Sequence, residues 1–221
     1  MTSSLLLSTR LQIIYDRILP GQPLWDIGCD HAYVGLQAFS SGLCSEVHLV
    51  DRALPAIENL RNQIAERWPD GPGEGLRIWH SDAERDALPV AHGTVVMAGV
   101  GIFTVLRIMD RVFAGKVPTG VRLVVACTLK EELLRVHLGR LGWRLQHEEL
   151  YGEAGHVRQL LAWESAGESA EPFWNDTELS RDHGLLDLFL EERRRYFSVN
   201  QSTDPDLVYL KKALAERFAE S

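Results

Sequence analysis

The sequence predicts an α/β fold built on a mostly parallel sheet that ends in an antiparallel hairpin. Three observations predict it. Up to about residue 141, short apolar runs alternate with segments of helical periodicity, the rhythm of a parallel sheet with right-handed crossovers. After Gly142 the pattern changes to two alternating stretches joined by a turn-rich connection, which is how an antiparallel pair reads. The chain has 221 residues, 45% of them hydrophobic and 24% charged, enough for one packed domain with an appendage.

The elements follow in order. A first amphipathic helix is marked by Leu7, Leu11, Ile14 and Ile18, spaced by four, three and four, and is closed by Pro20-Gly21. Strands read at PLWDI (23–27), EVHLV (46–50), LRIWH (76–80), TVVMA (94–98) and VRLVVA (121–126). Helical patterns fall between and after them at about 32–41, 53–67, 101–114 and 130–141. WRLQHEEL and HVRQLLAWE form the hairpin, with YGEAG (151–155) as its connection. SAGESAEP (165–172) has linker composition. The remainder reads as two helices around NQSTDPD (200–206), one carrying Leu185, Leu186 and Phe189, the other Leu207, Leu210 and Leu214. The expected division is therefore 1–163 for the sheet-bearing domain and 164–221 for a linker and a small helical C-terminal appendage.

Composition narrows the function classes. No apolar run approaches the roughly 20 residues needed to cross a bilayer, and the N-terminus lacks the basic region and cleavage site of a signal peptide. A cytoplasmic protein with no membrane partner is expected. Cys29, Cys44 and Cys127 are odd in number and lack CxxC spacing, so reduced thiols are expected, and the scattered His and Cys give no metal site. The net charge of −8 is unevenly spread. Residues 1–106 hold 7 Lys and Arg against 12 Asp and Glu, residues 107–163 hold 9 against 6, and residues 164–221 hold 7 against 13. The middle is mildly basic and the tail acidic, which leaves room for a phosphate-binding face without requiring one.

Ligands of an open parallel sheet collect at the carboxyl ends of its strands, and four such ends carry polar or glycine signals. The first is Asp26-Ile27-Gly28, continuing through Cys29, Asp30, His31 and Tyr33. Asp51, followed by Arg52, ends the second strand 23 residues beyond Gly28, where a carboxylate can accept hydrogen bonds from a ribose; a helix cap is the alternative reading. Ser81-Asp82 ends the third and suits an adenine amino group. Ala98, Gly99 and Gly101 end the fourth, where the glycines admit close approach. The first turn lacks GxGxxG, so no helix N-terminus is bared for a pyrophosphate, and Asp30 would repel one. Carboxylates there suit a cationic ligand instead, at about 1 kcal/mol each in a partly desolvated cleft.

LSTRL (7–11), DIGCDHAY (26–33), AGVG (98–101) and the element order resemble the bacterial TrmK-like family of tRNA adenine-N1 methyltransferases, over about residues 5–163. The Asp-His pair after the glycine is the most specific feature. The chain departs from that family at Ile102, where a second glycine stands, and at Ala126-Cys127-Thr128, where the family resembles Gln-Pro-Asn. The resemblance implies a Rossmann-like class I methyltransferase fold, S-adenosylmethionine as cofactor, contacts to it around Asp26, Gly28, Asp51 and Asp82, and a tRNA-binding helical extension. It implies methyl transfer to N1 of an adenine in the D-arm region, of the position-22 type. S-adenosylmethionine is positive at sulfur and at its amino group, the charge the first turn favours.

Asp30 is the candidate for stabilising charge on the purine, with the capping of the next helix or orientation of the cofactor as alternatives. His31 is read as its partner or as a phosphate contact, and Tyr33 as a stacking ring or a core aromatic. Cys29, Arg52, Ala98, Gly99 and Gly101 complete the expected cofactor surroundings. Arg10, Lys130, Arg135, Arg193 and Arg194 are the candidate RNA contacts, with Arg140 and Arg144 nearby; a solvated helix face is the bland reading of such charges. A monomer or weak dimer is expected. The rival functions are a methyltransferase with a small-molecule or protein acceptor, a nicotinamide-dependent oxidoreductase, which the missing diphosphate glycines oppose, and a binding module that keeps only the fold.

Overall fold

A computed structural model describes residues 6–114, 118–127, 130–165 and 183–199, together with 203, 205, 208 and 212. Helix α1 (Thr9–Tyr15) precedes β1 (Leu24–Ile27), α2 (Tyr33–Ser40), β2 (Val47–Asp51), α3 (Leu54–Arg67) and β3 (Leu76–His80). Then come β4 (Gly93–Ala98), α4 (Ile102–Phe113), β5 (Val121–Cys127), α5 (Glu131–Arg140), β6 (Trp143–Glu153), β7 (His156–Ser165) and α6 (His183–Val199). The strands form one seven-stranded sheet in the order β3-β2-β1-β4-β5-β7-β6. β1 to β5 are parallel, and β7 lies antiparallel to both β5 and β6.

The inner strands are apolar on both faces because both faces are covered. On one side Val95, Met97 and Leu123 pack with Val105, Ile108 and Met109 of α4, Leu134 of α5, and Trp143 and Trp163 of the hairpin. On the other, Leu49, Val96 and Val124 pack with Ile14 of α1, Leu36 of α2, and Leu60 and Ile64 of α3. The β3–β4 connection crosses without a helix, so residues 81–92 form a polar loop at the carboxyl end of β3. The chain order reverses between β1 and β4, which makes the crevice above those two strands the natural ligand position.

Two boundaries differ from the sequence pattern. The first helix is shorter than the Leu7–Ile18 periodicity: Ser8 caps it, accepting from the Leu11 backbone N–H at 3.4 Å, and Ile18 is buried after the helix has ended. The hairpin turn is only Ala154-Gly155, at φ 50° and 77°, with Glu153 paired to His156. Two successive left-handed residues match the twist of the strands they join, so Tyr151 and Gly152 are strand residues. Helix α6 carries Leu185, Leu186 and a buried Phe189, as its pattern implies. Apart from Ser165, the expected linker at 165–172 lies outside the described residues, as do Leu207, Leu210 and Leu214.

Candidate active site

The turn after β1 is held in a conformation that few residues tolerate. Gly28, Asp30 and Ala32 all have positive φ, at 71°, 46° and 51°. Each non-glycine residue there costs on the order of 1 kcal/mol, so neighbouring contacts must impose the shape. They come from the next strand: the Gly28 N–H donates to the Val50 carbonyl at 2.8 Å, and the Asp30 N–H to Asp51 Oδ2 at 3.0 Å. A Cβ on Gly28 would stand 2.7 Å from Val100 Cγ1, so glycine is required on packing as well as on φ. The result aims the Asp30 side chain, 71% exposed, over the crevice with His31 Nε2 at 3.6 Å from its carboxylate.

Two cavities meet at this turn, sharing Gly28, Asp30 and Gly99. The larger, about 360 Å³, runs along the ends of β1, β2, β3 and β4 past Asp51, Asp82 and Glu84. The smaller, about 260 Å³, lies between β1, α1 and α2 and is bordered by Asp26, Cys29, His31, Tyr33 and Arg10. Of the residues expected to surround a cofactor, Gly28, Asp51, Arg52, Asp82, Gly99 and Gly101 line the first, and Asp26, Gly28, Cys29, Ala98 and Gly99 the second. Asp30 borders both, while His31 and Tyr33 border the second with rings 5.5 Å apart.

The electrostatics are acidic. Burial pushes the Asp26 carboxyl from 3.8 up to about 7, against the Gly35 N–H that favours its anion, and Asp51 adds to the rise. The Cys29 thiol is pushed far up, by burial first and then by Asp26, Asp51 and Asp30, so it stays protonated and is no nucleophile. Asp51 accepts from the Asp30 and Ala53 backbone N–H groups, at 3.0 and 2.8 Å, which fixes its carboxylate at the cavity edge. The N-cap of α3 is Ala53, so Asp51 closes a turn just before the helix instead of capping it, and keeps its place at the cavity.

Glu84 and Thr104 were not among the sequence candidates, yet both line the larger cavity. Glu84 bridges Arg52 at 3.3 Å and Arg107, whose hydrogen bond holds its carboxyl below the usual range. Its only sequence signal was its place two residues beyond Asp82 in the same polar loop. Asp82 itself accepts from the Glu84 N–H at 3.1 Å and pairs with Arg85 at 3.6 Å.

The candidate RNA contacts separate. Arg10 borders the smaller cavity, with Glu153 at 3.3 Å, and Lys130 and Arg194 lie on the surface or near it. Arg135 and Arg193 correct the expectation. Arg135 is buried against Glu148, and Arg193 pairs with Glu131 at 2.9 Å with both side chains 6% exposed. Their charges are spent inside the fold, α5 to hairpin and α6 to α5, and neither can reach a phosphate. Among the described residues, no group of three or more His, Cys, Asp or Glu is placed to hold a metal ion. None of the described helices is long and apolar enough to cross a membrane.

This arrangement fits the expected cofactor on the chemistry of its donors. Asp30, Asp51, Asp82 and Glu84 border the larger cavity with Arg52 as the opposing charge, which favours a cation and disfavours a diphosphate. Gly99 and Gly101 leave open space where a Cβ would stand, so a ligand can lie close to the backbone.

No curated protein sequence matches the chain closely enough to count as a relative. Among solved structures, the chain is similar to the m1A22 tRNA methyltransferase TrmK of B. subtilis, at 17% identity and TM-score 0.71 over 97% of each chain. It is similar to M. capricolum TrmK in complex with S-adenosylhomocysteine, at 14% identity and TM-score 0.72, again over 97% of each. It also resembles a putative tRNA (m1A22) methyltransferase of Streptococcus pneumoniae in complex with S-adenosylmethionine, at 19% identity and TM-score 0.68, over 96% of this chain and 99% of the other. At these identities the likeness establishes a shared fold. A family model described as a methyltransferase domain matches residues 7–161, the span from the first helix through most of β7. The acidic crevice above β1 and β4 thus sits in a chain that belongs to the methyltransferase-domain family.

Proposed function

We propose that the protein transfers a methyl group from S-adenosylmethionine to N1 of an adenine in tRNA, of the position-22 type. The observation that carries this reading is the acid-bearing turn at Asp30, where the two cavities meet. The solved TrmK enzymes, similar over nearly the whole chain, supply the acceptor. The reading keeps residues 1–163 as the methyltransferase unit and 164–221 as its extension, and a tRNA acceptor places the enzyme in the cytoplasm.

S-adenosylmethionine, when bound, supplies an electrophilic methyl group on a positively charged sulfur. Asp51, its carboxylate fixed by two backbone N–H groups, is placed to accept hydrogen bonds from ribose hydroxyls. Asp82 stands at the β3 end of the same cavity for an adenine amino group, and Asp26 borders the smaller cavity with a carboxyl that burial holds up to about 7. Adenine N1 carries a free lone pair and no proton, so no side chain has to act as a base. What the protein must do is align the ring nitrogen and stabilise the positive charge that accumulates on the purine. Asp30 does the second from the rim of both cavities, its exposed carboxylate 3.6 Å from His31 Nε2. Tyr33, 42% exposed and stacked on His31, offers a ring face at the mouth of the smaller cavity.

The test is mass spectrometry of nucleosides from unmodified tRNA incubated with the protein and isotopically labelled cofactor. The expected product is 1-methyladenosine, lost in Asp30→Ala. Label found only in protein or in small molecules would overturn the tRNA reading.

A further inference from the structure

Phe103 stands at the carboxyl end of the sheet, between Gly101 and Thr104 of the larger cavity's lining, with Lys130 against its ring. Helix α4 buries a single stripe made by Ile102, Val105, Ile108, Met109 and Phe113. Phe103 falls one residue, about 100°, off that stripe, and is 51% exposed. An aromatic ring in that position contributes little to the core. Across the β4–β5 junction, the Lys130 ammonium lies over the ring face, 5.0 Å from its centroid. The Lys130 backbone is left-handed, at φ 65°, a conformation that a long side chain adopts only where its surroundings impose it.

Phe103 lies in the first turn of α4 and Lys130 is the N-cap of α5, the helices that follow β4 and β5, whose ends pair at Ala98 and Ala126. Gly99, Gly101 and Thr104 on the same β4 connection line the larger cavity, so the ring sits beside that cavity's wall. Asp51 ends β2 and Asp82 follows β3, on the other side of the crevice. An open aromatic face joined to a cation suits a flat base with a phosphate attached. A small apolar acceptor would call for an enclosed pocket instead.

We infer that Phe103 is a stacking surface for an unpaired base of the RNA acceptor strand and that Lys130 is the cation for its adjoining phosphate. The pair determines how the acceptor is positioned rather than how the methyl donor is held. This inference rests on the tRNA reading above and adds the residues that would seat the strand.

The test compares the full-length protein with Phe103→Ala, Phe103→Trp and Lys130→Ala, each saturated with S-adenosylhomocysteine and titrated with unmodified tRNA. Phe103→Ala is expected to weaken tRNA binding roughly 5- to 150-fold, the range for loss of one stacked base, with affinity for S-adenosylhomocysteine unchanged within about twofold. Phe103→Trp restores binding. Lys130→Ala lowers the slope of log affinity against log salt by roughly one. Wild-type and Phe103→Ala proteins that bind tRNA equally would overturn the inference and leave the tRNA reading standing. Equal loss of S-adenosylhomocysteine and tRNA in Phe103→Ala would overturn it too, because the ring would then only support the donor cavity. A wild-type protein with no affinity for tRNA would overturn both.

Discussion

Asp26 carries its carboxyl buried under the turn that begins the site, with the Gly35 N–H at 3.2 Å as its partner. A carboxyl raised from 3.8 to about 7 binds a proton more tightly folded than unfolded. Between those two values the native state holds the extra proton, so stability falls as pH rises through the window. The contribution is complete below pH 3.8 and lost by about pH 7, a span of roughly 4 kcal/mol. Asp26→Asn keeps an acceptor for Gly35 and removes the titration. In thermal melts without ligand, the variant is therefore expected to gain on wild type from about pH 4 to pH 7 and to level off above that; a constant gap across that range would show that burial does not hold the proton on Asp26. The sequence made the positions of Asp26, Asp30 and Asp51 legible, because Asp26 and Asp30 flank the glycine turn after an apolar strand and Asp51 ends the next one. It did not make the fate of Arg135 and Arg193 legible. A charged residue on a helical pattern reads as solvent-facing until a partner, Glu148 or Glu131, closes over it from another element. Phe103 was hidden in the opposite way, as an apolar residue beside a core stripe it does not join.

At the scale of elements, α6 is held to the sheet-bearing part by charge as much as by apolar contact. Phe189 is buried, and one turn further on Arg193 meets Glu131 at the start of α5. Beside them Glu132 has its carboxyl raised, chiefly by burial, with Glu131 adding to the rise. Removing one partner of such a pair leaves a charge in a dry place, which costs about 3–5 kcal/mol, whereas replacing both by apolar residues is close to neutral. Arg193→Met alone is thus expected to lower stability by about 3–5 kcal/mol in urea unfolding, and the double variant Glu131→Leu with Arg193→Met to recover most of it. Equal losses in the two variants would mean that the ion pair does not hold α6. The inner strands β1, β2, β4 and β5 were legible to within a residue because both faces are covered and the runs are mostly apolar. The ends of α1 and the hairpin turn were not, because those depend on a cap at Ser8 and on Ala154 accepting a left-handed backbone.

At the scale of the molecule, the fold supplies a crevice and the sequence decides its charge. The β1–β4 switch point would serve a dinucleotide as readily as a methyl donor. What separates them here is a ring of carboxylates, Asp30, Asp51, Asp82 and Glu84, drawn from three successive crossovers. The parallel order and the antiparallel end were readable from the alternation of patterns, and so was the acidic first turn. The helix-free β3–β4 connection was readable only as a lack of periodicity, though it brings Glu84 to the cavity. Calorimetric titration of the protein with S-adenosylmethionine and, separately, with nicotinamide adenine dinucleotide tests this most directly. At about 1 kcal/mol for each of several carboxylates, the cationic donor is expected to bind at least roughly a hundredfold more tightly. A dinucleotide that bound as tightly as S-adenosylmethionine would contradict the account.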